Sequence, residues 1–297
     1  MTRLRGTWTA AAVTLFLLGA CARTTAGAAA GDAAAPGASG NPPAPAGDAL
    51  VLRVEHYGGF VGTNLRVGRI PDVSVYADGR VITQGPQIAI YPGPALPNLV
   101  VLQVTPERVT ELARQATDAG VRSGAELGRP GVADATTTRV TAVTGGAKYT
   151  VDAYALSEAQ SQDPALTPAQ NAARTKLAGF VRELTDLSTA ASAAKPEPYV
   201  AQKVAVLATP WVKPGNDLPK QPGPQAWPGP ALPGDYVSPE VKQGCLTLTG
   251  AQAQTVLSAA AKANANTPWE SGGQQWRVSF RPLLPDENGC NDLRTRQ

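Results

Sequence analysis

Apolar and polar residues alternate along several short segments of the chain, which is the pattern of strands that bury one face. Residues 50–57 follow it, and residues 99–104 are a nearly continuous apolar run that also predicts a strand. Two pairs of alternating runs meet at Asp78-Gly79 and at Gly145-Gly146. Because such pairs favour two-residue hairpin turns, the first half is predicted to contain two hairpins and two further strands.

Three other segments have the 3.6-residue period of amphipathic helices, and each is preceded by a threonine that can cap the first turn. The caps are Thr105, Thr167 and Thr249, and the last two carry a glutamine three residues later, as in a capping box. The predicted buried positions are Val109, Leu112, Ala113 and Ala116; Leu177, Phe180, Val181, Leu184 and Leu187; and Val256, Leu257, Ala260 and Ala261.

One proline-rich motif occurs twice, as YPGPALP at residues 91–97 and as WPGPALP at residues 227–233. Each copy is followed by a short apolar strand, a threonine cap and a helix, so that residues 102–116 align with residues 246–260 without a gap. This shared order predicts two related units.

We therefore expect an α+β fold in which each unit has antiparallel strands and one packed helix. The first unit would span residues 49–190 and the second residues 191–297, with a proline-rich loop at 209–239 that has too few backbone donors for a strand. An extra helix, the one capped by Thr167, would connect them. The two halves share either one sheet or two.

The repeated loops are also the candidate binding surface. Tyr91 and Leu96 in the first, with Trp227 and Leu232 in the second, would offer stiff apolar contacts that lose little entropy on binding. The structural alternative is that each loop packs over its own sheet, with the aromatic side chain as a plug.

The N-terminus has the features of an export signal. Basic residues up to Arg5 precede an apolar run that is too short to span a bilayer, and this run ends in Leu18-Gly19-Ala20-Cys21. That ending resembles the lipobox of bacterial lipoprotein precursors. The resemblance implies removal of residues 1–20 and a diacylglyceryl-modified Cys21 that anchors the chain in the membrane. An ordinary signal peptide cut after Ala22 is the alternative.

Residues 21–48 are nearly all small residues and proline, and they predict a disordered tether between anchor and fold. Their composition resembles that of exported lipoproteins of high-G+C Gram-positive bacteria. The expected location is therefore the cell membrane, on the side away from the cytoplasm.

With Cys21 lipidated, Cys245 and Cys290 remain, and two cysteines outside the cytoplasm predict a disulfide bond. Two free buried thiols are the alternative. Two cysteines with no nearby histidine do not complete a metal site, so no metal or other cofactor is expected.

Charge and motifs exclude several functions. The net charge is +3, and without Arg3 and Arg5 only 24 basic side chains oppose 23 acidic ones, which gives no argument for nucleic acid as a partner. No nucleophile elbow, zinc-protease motif or phosphate-binding loop occurs. The single histidine, His56, is expected to be a strand-end residue with local hydrogen bonds.

The function that fits these features is a non-catalytic binding or interaction module, with a protein or a cell-wall component as its possible partner. The alternative is an envelope hydrolase that uses His56 with an acidic residue. Candidate acids are Glu55, Asp72, Asp134 and Asp152, although their spacing does not bring two of them together. A solute-binding transporter component is disfavoured because serial βα units are missing.

Mass spectrometry of the mature N-terminus tests the anchor. We expect Cys21 to be the first residue and to carry the mass of a diacylglyceryl group. An unmodified chain that begins at Arg23 would contradict lipidation.

Overall fold

The alternating segments of the first half pair into a seven-stranded sheet. A computed structural model describes residues 46–159, 162–188, 195–215 and 222–294. The strands of this first sheet are β1 (Leu50–Gly58), β2 (Val73–Tyr76), β3 (Arg80–Gln84), β4 (Leu99–Gln103), β5 (Thr136–Thr144), β6 (Ala147–Tyr154) and β7 (Glu197–Pro198). All neighbours are antiparallel, in the order β6-β5-β1-β2-β3-β4-β7.

Both predicted hairpins are confirmed, but the first has a three-residue turn, residues 77–79, where a two-residue turn was predicted. Gly79, Gly145 and Gly146 have positive φ angles of 87°, 58° and 79°, which glycine adopts without the steric penalty of a side chain. The turns therefore form where the sequence supplies glycine.

The two predicted helices of the first half begin at their predicted caps, and a short helix that was not predicted precedes them. In chain order the three helices are α1 (Thr63–Arg66), which was not predicted, α2 (Pro106–Asp118) and α3 (Pro168–Thr185). The Thr105 hydroxyl accepts a hydrogen bond from the Arg108 amide at 3.3 Å. Thr167 and Gln170 form the full capping box, in which each side chain binds the other residue's backbone N–H.

The first core lies between one face of this sheet and the helices α2 and α3. Leu52 and Val54 of β1 pack there with Leu112 of α2 and Leu177 of α3, all fully buried. Because β1 alternates, His56 lies on this same face, at the end of the core.

The second half forms a six-stranded sheet. Its strands are β8 (Lys203–Pro210), β9 (Gln225–Ala226), β10 (Asp235–Ser238), β11 (Gln243–Thr249), β12 (Pro268–Ser271) and β13 (Gln274–Pro282), in the order β10-β11-β8-β13-β12-β9. Among these strands only β12 and β9 pair in parallel. β9 and β10 lie within residues 209–239, so the prediction that this proline-rich stretch contains no strand is wrong: both strands are short and contain no proline. Helices α4 (Gly250–Ala260) and α5 (Cys290–Arg294) follow β11 and β13, and short 3-10 turns occupy Ala46–Asp48, Asp186–Ser188 and Pro239–Val241.

The predicted capping box at Thr249 is wrong. The Thr249 side chain makes no capping hydrogen bond, because Thr249 is still paired with Lys203 in the sheet and Gly250 then turns the chain with a φ of 55°. The buried face of α4 is consequently Ala253, Val256 and Ala260, and Ala261, predicted to point inward, is exposed.

The α+β class is confirmed, with two sheets of mainly antiparallel strands. The relatedness of the two units stays a prediction. In both halves a strand leads into a helix and then a hairpin, but β11 lies directly beside β8, whereas β4 is separated from β1 by β2 and β3.

A buried ionic network fastens the second half to the back of the first sheet. On the face of β1 opposite the core, the Arg53 guanidinium donates to the Asp286 carboxylate at 2.7 and 3.0 Å. Arg53 also donates to Ser74, and the Tyr76 hydroxyl donates to Asp286 at 2.8 Å. Because Arg53 is 3% exposed, its charge depends on Asp286 for compensation.

A second buried pair lies beside the first. Arg281 donates to the Glu287 carboxylate at 2.8 Å, and these side chains are 1% and 0% exposed. Arg281 also donates to the Arg69 carbonyl at 3.1 Å, which ties the second sheet to the segment that precedes β2. The two sheets are thus joined by directional contacts as well as by apolar packing.

Replacing Asp286 with alanine leaves the Arg53 charge buried without its carboxylate. We expect Asp286→Ala to lower the free energy of unfolding by about 3 kcal/mol, as for other broken buried ion pairs. Urea denaturation measures this loss.

The matched control is Asp118→Ala, which removes an exposed carboxylate that pairs with Arg114 on the surface of α2. It is expected to change stability little. Equal losses in the two variants would contradict the structural role of the Arg53–Asp286 pair.

Candidate functional site

The single histidine lies where two strands meet at the end of the first core. In the antiparallel pairing of β1 with β5, His56 is directly opposite Thr138. In the pairing of β1 with β2, Val54 is opposite Val73, which brings Asp72 beside His56. Strand register alone therefore gathers a carboxylate, an imidazole and a hydroxyl.

These three side chains form a continuous hydrogen-bonded chain. His56 Nδ1 lies 2.7 Å from Asp72 Oδ2, and His56 Nε2 lies 3.0 Å from Thr138 Oγ1. A carboxylate can only accept, so Nδ1 carries the proton. In neutral His56 the Nε2 atom therefore accepts a hydrogen bond from the Thr138 hydroxyl.

The surroundings of His56 favour its protonated form. The hydrogen bond to Asp72 raises the pKa of His56 above its ordinary 6.5, with desolvation opposing this effect and the Asp72 charge reinforcing it. Glu158 adds to the rise and Arg69 counters it. The imidazolium is therefore populated at a higher pH than in a solvated histidine.

His56 also borders three cavities. The largest, about 600 Å³, lies between α3 and the first sheet and is called the α3 cavity below. The others, about 400 Å³ and 210 Å³, lie on the side of the segment that contains α1 and Arg69. The α3 cavity has the size of a small-molecule site, for which 300–1,000 Å³ is usual.

One face of α3 forms a wall of this cavity. Thr175, Ala178 and Arg182 fall at helical spacing along it, and Asp72, His56 and Thr138 line the opposite wall. Leu156 and Val181 supply apolar surface. Polar and charged residues are the majority of the lining, so the cavity is more polar than a typical small-molecule site and suits a polar or charged ligand group.

Arg174 is an unusual cation in this wall. It is 6% exposed, and its guanidinium donates to the carbonyls of Tyr154 at 2.7 Å and Ala155 at 2.8 Å. In the described ranges no carboxylate lies within ion-pair distance of Arg174. Burial lowers the pKa of Arg174, and the charges of Asp163 and Glu158 oppose this effect from a distance. An anion in the cavity would add a direct ion pair.

The charged lining is positive. Arg174 and Arg182 against Asp72 leave +1 when His56 is neutral and +2 when it is protonated. Arg182 is exposed, and the part of the chain that is described holds no ion-pair partner for it. The lining therefore suits a negatively charged occupant.

The predicted loop residues are distributed differently. Trp227 and Leu232 are 9% and 8% exposed and belong to the second core, where Trp227 contacts Trp269 and Phe280. Leu96 is partly buried against that same core. The second loop thus packs over its own sheet, while the first reaches over to the other half.

Tyr91 is the loop residue that remains largely at the surface. It is 59% exposed, and its hydroxyl accepts a hydrogen bond from the Asn266 amide at 3.2 Å. Its exposed neighbours Ile88 and Ile90 extend the apolar surface. The four loop residues therefore do not form one joint exposed face.

The predicted disulfide is confirmed. Cys245 in β11 is bonded to Cys290 at the start of α5, with their Cα atoms 6.1 Å apart. The bond closes a loop with a sequence separation of 45 and holds α5 against the second sheet. Leu293 of that helix is buried beneath it and lines the smallest cavity next to His56.

The lipid-attachment prediction at Cys21 lies outside the described residues. Among the residues that are described, none of the helices is long and apolar enough to cross a bilayer. Nor do three or more candidate ligand side chains gather there as a metal site.

The sequence reasoning missed Arg174 and Thr138. Arg174 stands three residues before Leu177, next to the apolar stripe of α3, and a charged residue at such a position is the signal that could have indicated it. Thr138 carries no such signal, because only the β1–β5 register brings it to His56. Asp72 was one of four candidate acids, and Asp152 instead binds Arg139 and Tyr57.

Comparison with models of known protein families, with curated proteins and with solved structures finds no match.

The raised pKa of His56 links stability to pH. A group whose pKa is higher in the folded state stabilises the fold below its unfolded pKa, and this contribution is lost as pH rises through the folded pKa. We expect the stability difference between wild type and His56→Gln to be larger at pH 5.5 than at pH 9.

Urea denaturation at both pH values measures the difference, and Asp72→Asn is the matched variant, because it removes the partner and keeps the imidazole. The free energy of unfolding of Asp72→Asn is expected to depend on pH as weakly as that of His56→Gln. A difference between wild type and His56→Gln that does not change with pH would rule out the ion pair.

Proposed function

We propose that this protein is a lipid-anchored extracytoplasmic lipoprotein whose folded part binds a small anionic organic molecule in the α3 cavity. A carboxylate, phosphate or sulfonate group of the ligand would be held near Arg174 and Arg182, and its apolar part would contact Leu156 and Val181. The membrane anchor would be the lipid on Cys21.

The observation that carries the binding proposal is the Arg174 guanidinium, which lines a ligand-sized cavity and has no direct ion-pair partner in the described ranges. The guanidinium is 6% exposed and bonded to carbonyl groups, and the cavity beside it measures about 600 Å³. An anion there would gain a charge-assisted hydrogen bond in a partly desolvated site. Arg182, on the same face of α3, adds a second cation at the wall.

The hydrolase alternative has one observation in its favour, since Asp72, His56 and Thr138 have the order of an acid, a base and a nucleophile. A nucleophilic hydroxyl also needs donors for the oxyanion. Thr138 lies inside β5, whose backbone pairs with β1 on one side and β6 on the other, so the neighbouring amides are committed to these ladders. Binding is therefore the better supported function.

A pair of fluorescent dyes tests the binding proposal. 8-Anilinonaphthalene-1-sulfonate (ANS) carries an anionic sulfonate, and N-phenyl-1-naphthylamine has the same aromatic skeleton without it. Ala178→Trp places a large side chain on the cavity wall, and we expect it to weaken the binding of both dyes at least tenfold. Direct-excitation fluorescence titration measures the dissociation constants.

The matched control is Ala172→Trp, which makes the same change at an exposed position of α3 outside the cavity lining. It should bind both dyes as wild type does. Arg182→Gln should weaken the binding of ANS by about tenfold, the equivalent of one charge-assisted hydrogen bond, and leave the neutral dye unaffected. ANS binding that survives Ala178→Trp would place the dye elsewhere and contradict the proposal.

A further inference from the structure

The Thr138 hydroxyl has two possible roles, and the protonation state of His56 selects between them. Thr138 is 1% exposed and lines the α3 cavity, and the only side-chain group within hydrogen-bond distance of its oxygen in the described ranges is His56 Nε2, at 3.0 Å. A hydroxyl has one proton to donate. Where that proton points decides whether Thr138 can donate to a ligand.

With neutral His56, the proton of Thr138 is committed to the imidazole. Asp72 holds the Nδ1 proton at 2.7 Å, so Nε2 has only a lone pair and must accept from Thr138. The hydroxyl then presents lone pairs alone to the cavity. Lone pairs repel an anion.

With protonated His56, the direction of this hydrogen bond reverses. Nε2 now donates to Thr138 Oγ1, while Nδ1 continues to donate to Asp72. The Thr138 proton is released from the imidazole and can be donated to an acceptor in the cavity. The same uptake of a proton raises the charge of the cavity lining from +1 to +2, so both effects favour an anion.

We propose that Asp72, His56 and Thr138 form a proton-controlled hydrogen-bond switch, in which protonation of His56 makes the Thr138 hydroxyl a donor to an anion in the α3 cavity. The inference rests on the proposed binding function and adds to it a preference for anions at acidic pH. Thr138 would then be a ligand-binding residue. Asp72 and His56 would determine whether its hydroxyl donates a hydrogen bond to the ligand or to the imidazole.

Other charged groups surround His56 without hydrogen bonding to the imidazole. Glu158 after β6 favours the protonated form, and Arg69 before β2 opposes it. Glu55 of β1, Arg66 before β2, and Arg174 and Arg182 of α3 line the cavities that His56 borders. Asp72 differs from them because it bonds directly to Nδ1.

The test compares ANS binding at pH 5.5 and pH 8.5, a range over which the sulfonate stays ionised. In wild type we expect ANS to bind at least tenfold more tightly at pH 5.5, because one hydrogen bond to a charged group alone accounts for about tenfold and the imidazolium charge adds to it. The neutral dye should bind equally at both values. His56→Gln should remove the pH dependence of ANS binding.

Thr138→Val is the decisive variant, because it keeps the shape of the side chain and the titrating imidazole but removes the hydroxyl. The logarithm of the ratio between its ANS dissociation constants at pH 8.5 and pH 5.5 should be less than half of the wild-type value. The remainder is due to the imidazolium charge alone. Thr138→Ser restores a hydroxyl and should restore the full effect. Cooperative urea unfolding of each variant establishes that it is folded.

Each outcome has a distinct meaning. ANS binding in wild type that is equal at the two pH values overturns the switch and leaves the binding function standing. A Thr138→Val variant with the full pH effect overturns the role of Thr138. Failure of ANS to bind wild type at either pH overturns the proposed function and the switch together.

Discussion

The ion pair between Arg53 and Asp286 is the contact on which the arrangement of the two sheets depends. A guanidinium that is 3% exposed cannot remain charged in an apolar interior without a partner, and the partner comes from the far end of the chain. Such a pair contributes little net stability relative to apolar packing, but it penalises every arrangement that separates its members. It therefore fixes how the halves fit together, and the Arg281–Glu287 pair adds a second constraint.

The same strand carries this constraint to the candidate site. Arg53 points from β1 to the second half, whereas Val54 and His56 point from β1 into the core and towards α3. Fixing β1 between β2 and β5 sets the positions of Asp72 and Thr138 on either side of the imidazole. Strand register thus places the polar groups on the sheet side of the cavity. The sequence of α3 supplies the cations, Arg174 and Arg182, on the other side.

Local features of the structure could be predicted from sequence because their causes are local. Gly79 and Gly145 form turns through their own backbone freedom, and Thr167 caps α3 through residues three positions away. The Cys245–Cys290 bond could be predicted because two of the three cysteines remain once Cys21 is assigned to the lipid. The gathering of Asp72, His56 and Thr138 has no local cause, since it requires pairing across sequence separations of 16 and 82 residues. The environments of Tyr91 and Trp227 also differ despite nearly identical loops, because each is decided by the surface that its loop meets.

The chain contains one histidine, so ¹⁵N nuclear magnetic resonance of its imidazole reports on His56 alone. We expect a neutral form protonated at Nδ1 and a titration midpoint above the ordinary 6.5. Adding ANS should raise that midpoint further, because a ligand that prefers the imidazolium must by linkage raise its pKa. A neutral form protonated at Nε2, or a midpoint that saturating ANS leaves unchanged, would contradict the proposed switch.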